Sequence, residues 1–401
     1  MGSDGANSLW VERLGLTNFR SYAAATVEAD ARPQVIAGSN GSGKTNLLEA
    51  LSLLSPGQGM RRVPFVDLVR AQGDGNFAIS ARAHTLSGMA SIGTGLQGRP
   101  TSQQADGDFS ERNSRTSERG RIVRIDGTTQ SGSGVLADYL EIVWVTPAMD
   151  GLFTGPASER RRFLDRLILC FDPGYRTIAG RFERAMTSRN RLLADGVREN
   201  AQLAGFERVM AENGVAVAAA RLEAVAAMVE IVERRRERDP NSAFPWAAFR
   251  LEGSLEDSLR RVSAIEAEDD YARVLSETRD RDRGAGRTLD GPHRSDLIVE
   301  HGPKAVAARH SSTGEQKALL LGLVLAHAEL LTERQEGAAP ILLLDEITAH
   351  LDAARRAALF DEILRLGAQA WMTGTDENAF DALAGRAGFW RVEEGKIASR
   401  T

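Results

Sequence analysis

Residues Gly38-Ser39-Asn40-Gly41-Ser42-Gly43-Lys44-Thr45 satisfy G-x-x-x-x-G-K-[ST] at every fixed position. Glycines let the backbone curl until several N–H groups converge on phosphate oxygens. The helix predicted to start at Lys44 adds its dipole. Lys44 carries a compact ammonium for the β- and γ-phosphates, which a planar guanidinium fits poorly. Thr45 offers a hydroxyl to Mg²⁺, and Asn46 follows it at the start of the helix.

A second stretch supplies the carboxylates such a loop requires. Ile341-Leu342-Leu343-Leu344-Asp345-Glu346 reads as a buried apolar strand ending in two acids. Asp345 is placed to hold Mg²⁺, directly or through water, and Glu346 to orient or activate an attacking water. Ser311-Ser312-Thr313-Gly314-Glu315-Gln316-Lys317 then opens a helical run from Ala318 to Leu331. Ser312, the Gly314 N–H and the helix N-terminus make a further anion site, with Glu315 beside them. One γ-phosphate is already served by the first loop, so a second anion site points to a nucleotide held between two copies of the chain. A capped helix is the plainer reading of Ser312 taken alone.

These residues need elements to position them. Gln34 to Ala37 reads as a short apolar strand before the loop, and Lys44 to Leu54 as the helix after it. Trp10 to Leu16, Phe77 to His84, Ala90 to Leu96, Gly120 to Ile125 and Glu141 to Val145 read as further strands. A mobile loop is expected near Arg99 to Arg119. From about 158 to 285 strand signals nearly vanish: Ser158 is expected to cap a helix over Glu159 to Cys170, Ala201 to Arg238 is long and alanine-rich, and Leu255 to Arg283 reads as helical. Strands return near Leu297 to Val299.

Composition bounds the rest. The chain has 401 residues, 42% of them hydrophobic, which excludes global disorder. No apolar run is long enough for a transmembrane helix, and Met1 to Asn7 lacks the apolar core of a signal peptide. One cysteine, Cys170, and six scattered histidines give no disulfide and no zinc spacing, so a cytoplasmic protein without membrane contact is expected. Net charge is −5, yet Ser158 to Arg191 holds nine arginines against four acids, a local charge of +5. Arg160, Arg161 and Arg162, with Arg61 and Arg62 as a smaller pair, are the candidate phosphate contacts for DNA; a solvated helical face is the plain alternative. Only four of the 50 basic residues are lysines, and Lys44 is the one whose task depends on being lysine.

The order of motifs, a phosphate loop, then S-x-G-E opening a helix, then an apolar strand ending Asp-Glu, then Leu351-Asp352, resembles that of ABC-type ATPases, in the DNA-repair and chromosome-structure (SMC-like) branch. Asn18-Phe19-Arg20-Ser21-Tyr22, Ser158-Glu159-Arg160-Arg161-Arg162-Phe163-Leu164-Asp165 and Gly291-Pro292-His293-Arg294-Ser295-Asp296-Leu297 are similar to three stretches of the RecF family. The resemblance implies an α/β ABC-type ATPase head with a β-rich sub-lobe and an inserted, mostly helical second domain. The expected division is an ATP-binding lobe over 8–150, a helical insertion over 151–287, and the rest of the head over 288–401. About 130 residues between Glu159 and the G-P-H-R segment leave no room for long coiled-coil arms. It further implies ATP and Mg²⁺ as cofactors and weak, DNA-dependent ATP hydrolysis. Partners would be a second copy of the chain upon ATP binding, double-stranded DNA at single-strand gaps, and RecR with RecO in loading RecA. Arg20 would then lie near the nucleotide, Ser312 and Gly314 would face the partner's γ-phosphate, and Asp352 would belong to the interface loop. Thr375 stands where many ABC proteins place a phosphate-sensing histidine, so slow hydrolysis is expected. The alternative is a nucleotide-dependent scaffold that recruits proteins and touches DNA weakly.

Overall fold

The short apolar strands predicted at Gln34–Ala37 and Ile341–Leu344 are buried at every residue, as strands covered on both faces must be. They belong to a six-stranded sheet of a computed structural model that describes residues 8–96, 120–196 and 200–400. The chain divides into two units, one of Met1–Met149 with Ala328–Thr401, the other of Asp150–His327.

In the first unit, that sheet aligns Gly388–Glu393, Gln34–Ala37, Ala370–Gly374, Ile341–Leu344 and Ile142–Val145 in parallel. Lys396–Arg400 adds an antiparallel edge. A second, antiparallel six-stranded sheet includes Trp10–Phe19, Tyr22–Glu28, Phe77–Thr85, Gly88–Leu96 and Arg121–Ile125. Alternation along Phe77–Thr85 buries Phe77, Ile79, Ala81 and Ala83 on one face. One apolar core unites residues of both sheets with Leu47, Leu48 and Leu51 of the Lys44–Ser52 helix. A buried glutamine ties the sheets by backbone: Gln369 accepts from the Val11 N–H at 2.9 Å and donates to the Val11 carbonyl at 3.0 Å.

The second unit is mostly helical. Its long helices are Ala157–Leu169, Tyr175–Ala194, Asn200–Arg238 and the first part of Thr313–Arg334. Pro156, not Ser158, occupies the cap position of the first; proline suits it because its missing N–H costs nothing at a helix start. Leu255 to Arg283 is broken into three short helices. Ala247–Glu252, inside the stretch that reads as strandless, is a strand paired antiparallel with Asp296–His301. That pairing moves the expected boundary at 287. Residues 288–327 belong to the helical unit because their strand completes a sheet there, which carries the Ser312 segment with it. The loop expected near Arg99 to Arg119 lies outside the described residues.

Candidate functional site

Parallel strands open their carboxyl ends toward ligands, and three such ends are neighbours here. Leu344 pairs with Met372, and Ala37 with Gly374 two residues further along the same strand, so the segments after Ala37, Leu344 and Gly374 emerge at the same end of the sheet. The first is the glycine loop. Gly38, Gly41 and Gly43 have φ of 159°, 78° and 117°, a region that side chains rarely adopt. At Gly43 the space is also closed, since a Cβ would meet Ser21 Oγ at 2.9 Å and Tyr22 Oη at 3.0 Å.

Lys44 is 5% exposed, and its Nζ donates to the Gly38 and Ser39 carbonyls at 2.7 and 2.8 Å. Burial lowers its pKa, while the charges of Glu346 and Asp345 act the other way. Thr45 Oγ1 donates to Asp345 Oδ1 at 3.0 Å, so the hydroxyl and carboxylate expected to share a metal are adjacent. Thr373 Oγ1, a residue the sequence did not single out, donates to the same Asp345 oxygen at 2.7 Å and accepts the Glu346 N–H at 2.8 Å. One hydroxyl thus holds the Asp345 carboxylate and the Glu346 backbone. The signal was available: a hydroxyl ending the apolar run Ala370-Trp371-Met372. Glu346 itself adopts φ 49°, unusual for a non-glycine residue.

These residues fit a nucleotide triphosphate with Mg²⁺. Ser42 Oγ, inside the loop, is buried without a partner, so one loop hydroxyl awaits an acceptor or donor. One hydroxyl plus one carboxylate is the sparse protein donor set Mg²⁺ takes when phosphate and water complete its octahedron. No group of three His, Cys, Asp or Glu forms an all-protein cage among the described residues.

Arg20, in the turn between Trp10–Phe19 and Tyr22–Glu28, reaches the phosphate-loop helix with its side chain. Its guanidinium is bidentate on Glu49, at 2.9 and 2.8 Å, and also donates to the Asp67 carbonyl. Glu49, 1% exposed, was not anticipated. Asn46 donates to Ser21 Oγ and accepts from Arg61, which also reaches Glu49 at 3.5 Å. Arg61 is therefore partly committed within the unit, whereas Arg62 is exposed.

In the second unit, Ser312 and Glu315 form a reciprocal capping box. The Ser312 N–H donates to Glu315 Oε2 at 3.1 Å, and the Glu315 N–H to Ser312 Oγ at 3.4 Å. Lys304 adds an ion pair at 2.5 Å, and Lys304 first, then the Ser312 N–H, hold the Glu315 carboxyl down to about 2. The Glu315 carboxylate is thus occupied by its own helix start and by Lys304, which weighs against a nucleotide contact. Lys317, one turn on, is 2% exposed and pairs with Asp150 at 3.6 Å. In the first unit Asp352 caps the Ala353–Leu366 helix by accepting from the Arg355 N–H at 2.8 Å.

A family model described as the RecF/RecN/SMC N terminal domain matches residues 10–397. The curated DNA replication and repair protein RecF of Mesorhizobium japonicum is 49% identical over 96% of this chain and 97% of its own length. Its counterpart in Rhizobium leguminosarum bv. trifolii is 51% identical over 96% and 98%. This chain belongs to the RecF family. A solved RecF with ATP, described as a recombination mediator of the RecFOR pathway, covers all of both chains at TM-score 0.80 and 21% identity. That likeness shows the fold, an ABC-type ATPase head.

The two remaining family stretches meet in the second unit. Arg160 clamps Asp296 with bonds of 2.7 and 2.8 Å, and Arg161 donates to the Ser295 carbonyl at 2.5 Å. Arg221 clamps Asp165 at 2.8 and 3.0 Å and reaches the Pro292 carbonyl, while Tyr175 donates to Asp165 at 2.6 Å. Arg160 and Arg161, expected on DNA, are spent on this internal joint; the bidentate fork that suits phosphate suits Asp296 equally. Arg189, counted in the basic stretch, is wholly buried between Glu207 and Asp282. Of the first triplet Arg162 alone is exposed, and Arg294 is exposed as well.

Proposed function

We propose that this chain is an ATP-dependent DNA-binding protein of replication and recombinational repair, acting in the cytoplasm. In this reading it binds ATP with Mg²⁺ and pairs with a second copy through Ser312, Gly314 and the Asp352 loop. It holds duplex DNA beside single-strand gaps, cooperates with RecR and RecO in loading RecA, and is reset by slow hydrolysis. The observation that carries it is the convergence of Lys44, Thr45, Asp345 and Glu346 at one edge of a parallel sheet. The names of the curated relatives and of the solved RecF support the biological setting.

The bound nucleotide and its Mg²⁺ would supply a phosphoryl group open to attack by water. Lys44 exchanges its two loop carbonyls for phosphate oxygens, its ammonium offsetting the charge there. Thr45 and Asp345 hold the ion, and Thr373 keeps Asp345 turned toward it. Glu346 takes the proton of the attacking water. With Thr375 in place of a histidine, the turnover is slow.

Light scattering of wild type and Glu346→Gln, with and without ATP and a gapped duplex, tests the reading. The expected result is an ATP-dependent dimer that persists in the variant while hydrolysis stops. A Glu346→Gln variant that hydrolyses at the wild-type rate removes that residue from its role, and a protein that stays monomeric with ATP and gains no DNA affinity sinks the reading of an ATP-dependent, DNA-holding dimer. The scaffold alternative draws support from the internal use of Arg160 and Arg161. A shallow dependence of DNA affinity on salt would favour it.

A further inference from the structure

The Tyr175–Ala194 helix buries Tyr175, Phe182, Ala185, Arg189 and Leu193 on one side. At 100° per residue its opposite face carries Arg176, Arg184 and Arg191, with Arg181 at the margin. All four are exposed. Along the axis Arg176 to Arg184 spans roughly 12 Å and Arg184 to Arg191 roughly 10 Å, from the α-helical rise. One acid, Glu183, shares the face. Arg191 reaches only Asp195, at 3.9 Å with both side chains largely in solvent. Arg176, Arg181 and Arg184 form no hydrogen bond or ion pair among the described residues.

Several other exposed arginines are paired, Arg250 with Glu252 and Glu300, Arg273 with Asp270 and Glu277, Arg391 with Glu393, whereas here the uncommitted guanidinium groups share one helix face. The net charge of −5 means carboxylates are plentiful, yet among the described residues only Asp195 comes within ion-pair distance of this row, at its Arg191 end. Between the arginines stand Gly180, Thr187 and Ser188. A Cβ at Gly180 would lie 3.1 Å from an Arg184 guanidinium nitrogen, so the glycine leaves Arg184 room to lie along the helix. No aromatic or large aliphatic side chain accompanies them. A protein partner needs such an apolar anchor, whereas a phosphate backbone needs only spaced, forked donors.

We infer that this row, Arg176, Arg181 and Arg184 with Arg191, is a binding surface for the phosphate backbone of nucleic acid. It rests on the DNA-binding reading above, and it replaces Arg160 and Arg161 as the contacts of the helical unit.

The test compares wild type, Arg176→Ala/Arg181→Ala/Arg184→Ala, and an Arg250→Ala/Arg273→Ala/Arg391→Ala control that loses equal charge. Affinity for a fluorescent gapped duplex is titrated across salt with ATP present, and binding of a fluorescent ATP analogue reports that each protein is folded. The row variant should flatten the log–log salt slope by about 2 to 3 units, near 0.9 per lost contact, while the control keeps the wild-type slope. A wild-type slope in the row variant overturns the inference, as does an equal change in the control. Polyglutamate that competes as well as the duplex at equal charge overturns the nucleic-acid assignment. A wild type that binds no DNA removes the underlying reading itself.

Discussion

Lys44 and Lys317 survive in a chain that has replaced nearly every other lysine by arginine, and both are buried. Each ammonium has oxygen partners of the fold: Lys44 two loop carbonyls, Lys317 the Asp150 carboxylate. The sequence marked Lys44 as the lysine with a dedicated task. Lys44→Arg should lower nucleotide affinity by about an order of magnitude or more despite equal charge, read by titrating a fluorescent ATP analogue. Unchanged affinity would mean the loop has room for a guanidinium. The loop residues and both carboxylates were legible because their types and spacing encode their chemistry. Thr373 and Glu49 were not, since a lone threonine or glutamate acquires its task only from neighbours 28 or 29 residues away in the chain.

At the scale of elements, the G-P-H-R turn explains why its residues recur in one short stretch. Ser295 and Asp296 receive Arg161 and Arg160, and the Pro292 carbonyl receives Arg221. His293 bonds the Thr288 carbonyl at 3.0 Å, and its Nδ1 is buried without a partner. Burial, with the nearby Arg294 and Arg161 charges, lowers its pKa below 6.5, although the Thr288 carbonyl opposes the shift. The folded state therefore prefers neutral His293, so the stability it contributes is present above pH 6.5 and is lost as pH falls through the lower folded pKa. Urea midpoints between pH 7.5 and 5 should fall more steeply for wild type than for His293→Gln; parallel curves would show that the histidine titrates as in the unfolded chain. Helix capping was half legible here: the Ser312–Glu315 box follows from spacing, but Pro156 took the cap assigned to Ser158 because local signals two residues apart compete.

At the scale of the molecule, charge is sorted rather than averaged. Arg189, with no exposure, joins Glu207, Asp282 and the Leu275 carbonyl, and Arg279 shares Glu207. These groups come from four separate helices, so the network pins the helical unit together. Arg189→Leu should destabilise that unit by about 3–5 kcal/mol, because two buried carboxylates each lose one ion-pair partner. Chemical denaturation measures it, and a loss below about 1 kcal/mol would show that water or Arg279 compensates. Read from sequence, Arg189 was one of nine arginines in a basic stretch that offered candidate DNA contacts or a solvated helical face.

Motifs whose residues lie within a few positions of one another were legible in the sequence alone: the phosphate loop, the acid pair after an apolar strand and, through their order, the family. Local spacing dictates local geometry, and short strands buried on both faces announce themselves by composition. The fate of each arginine was decided only by tertiary structure. Arg160, Arg189 and Arg184 are alike in sequence, but one clamps Asp296, one is buried between two acids and one stands free in solvent. A guanidinium binds any carboxylate or phosphate with the same fork, so what it binds depends on which acid the fold brings near, and that contact spans up to 136 residues of chain.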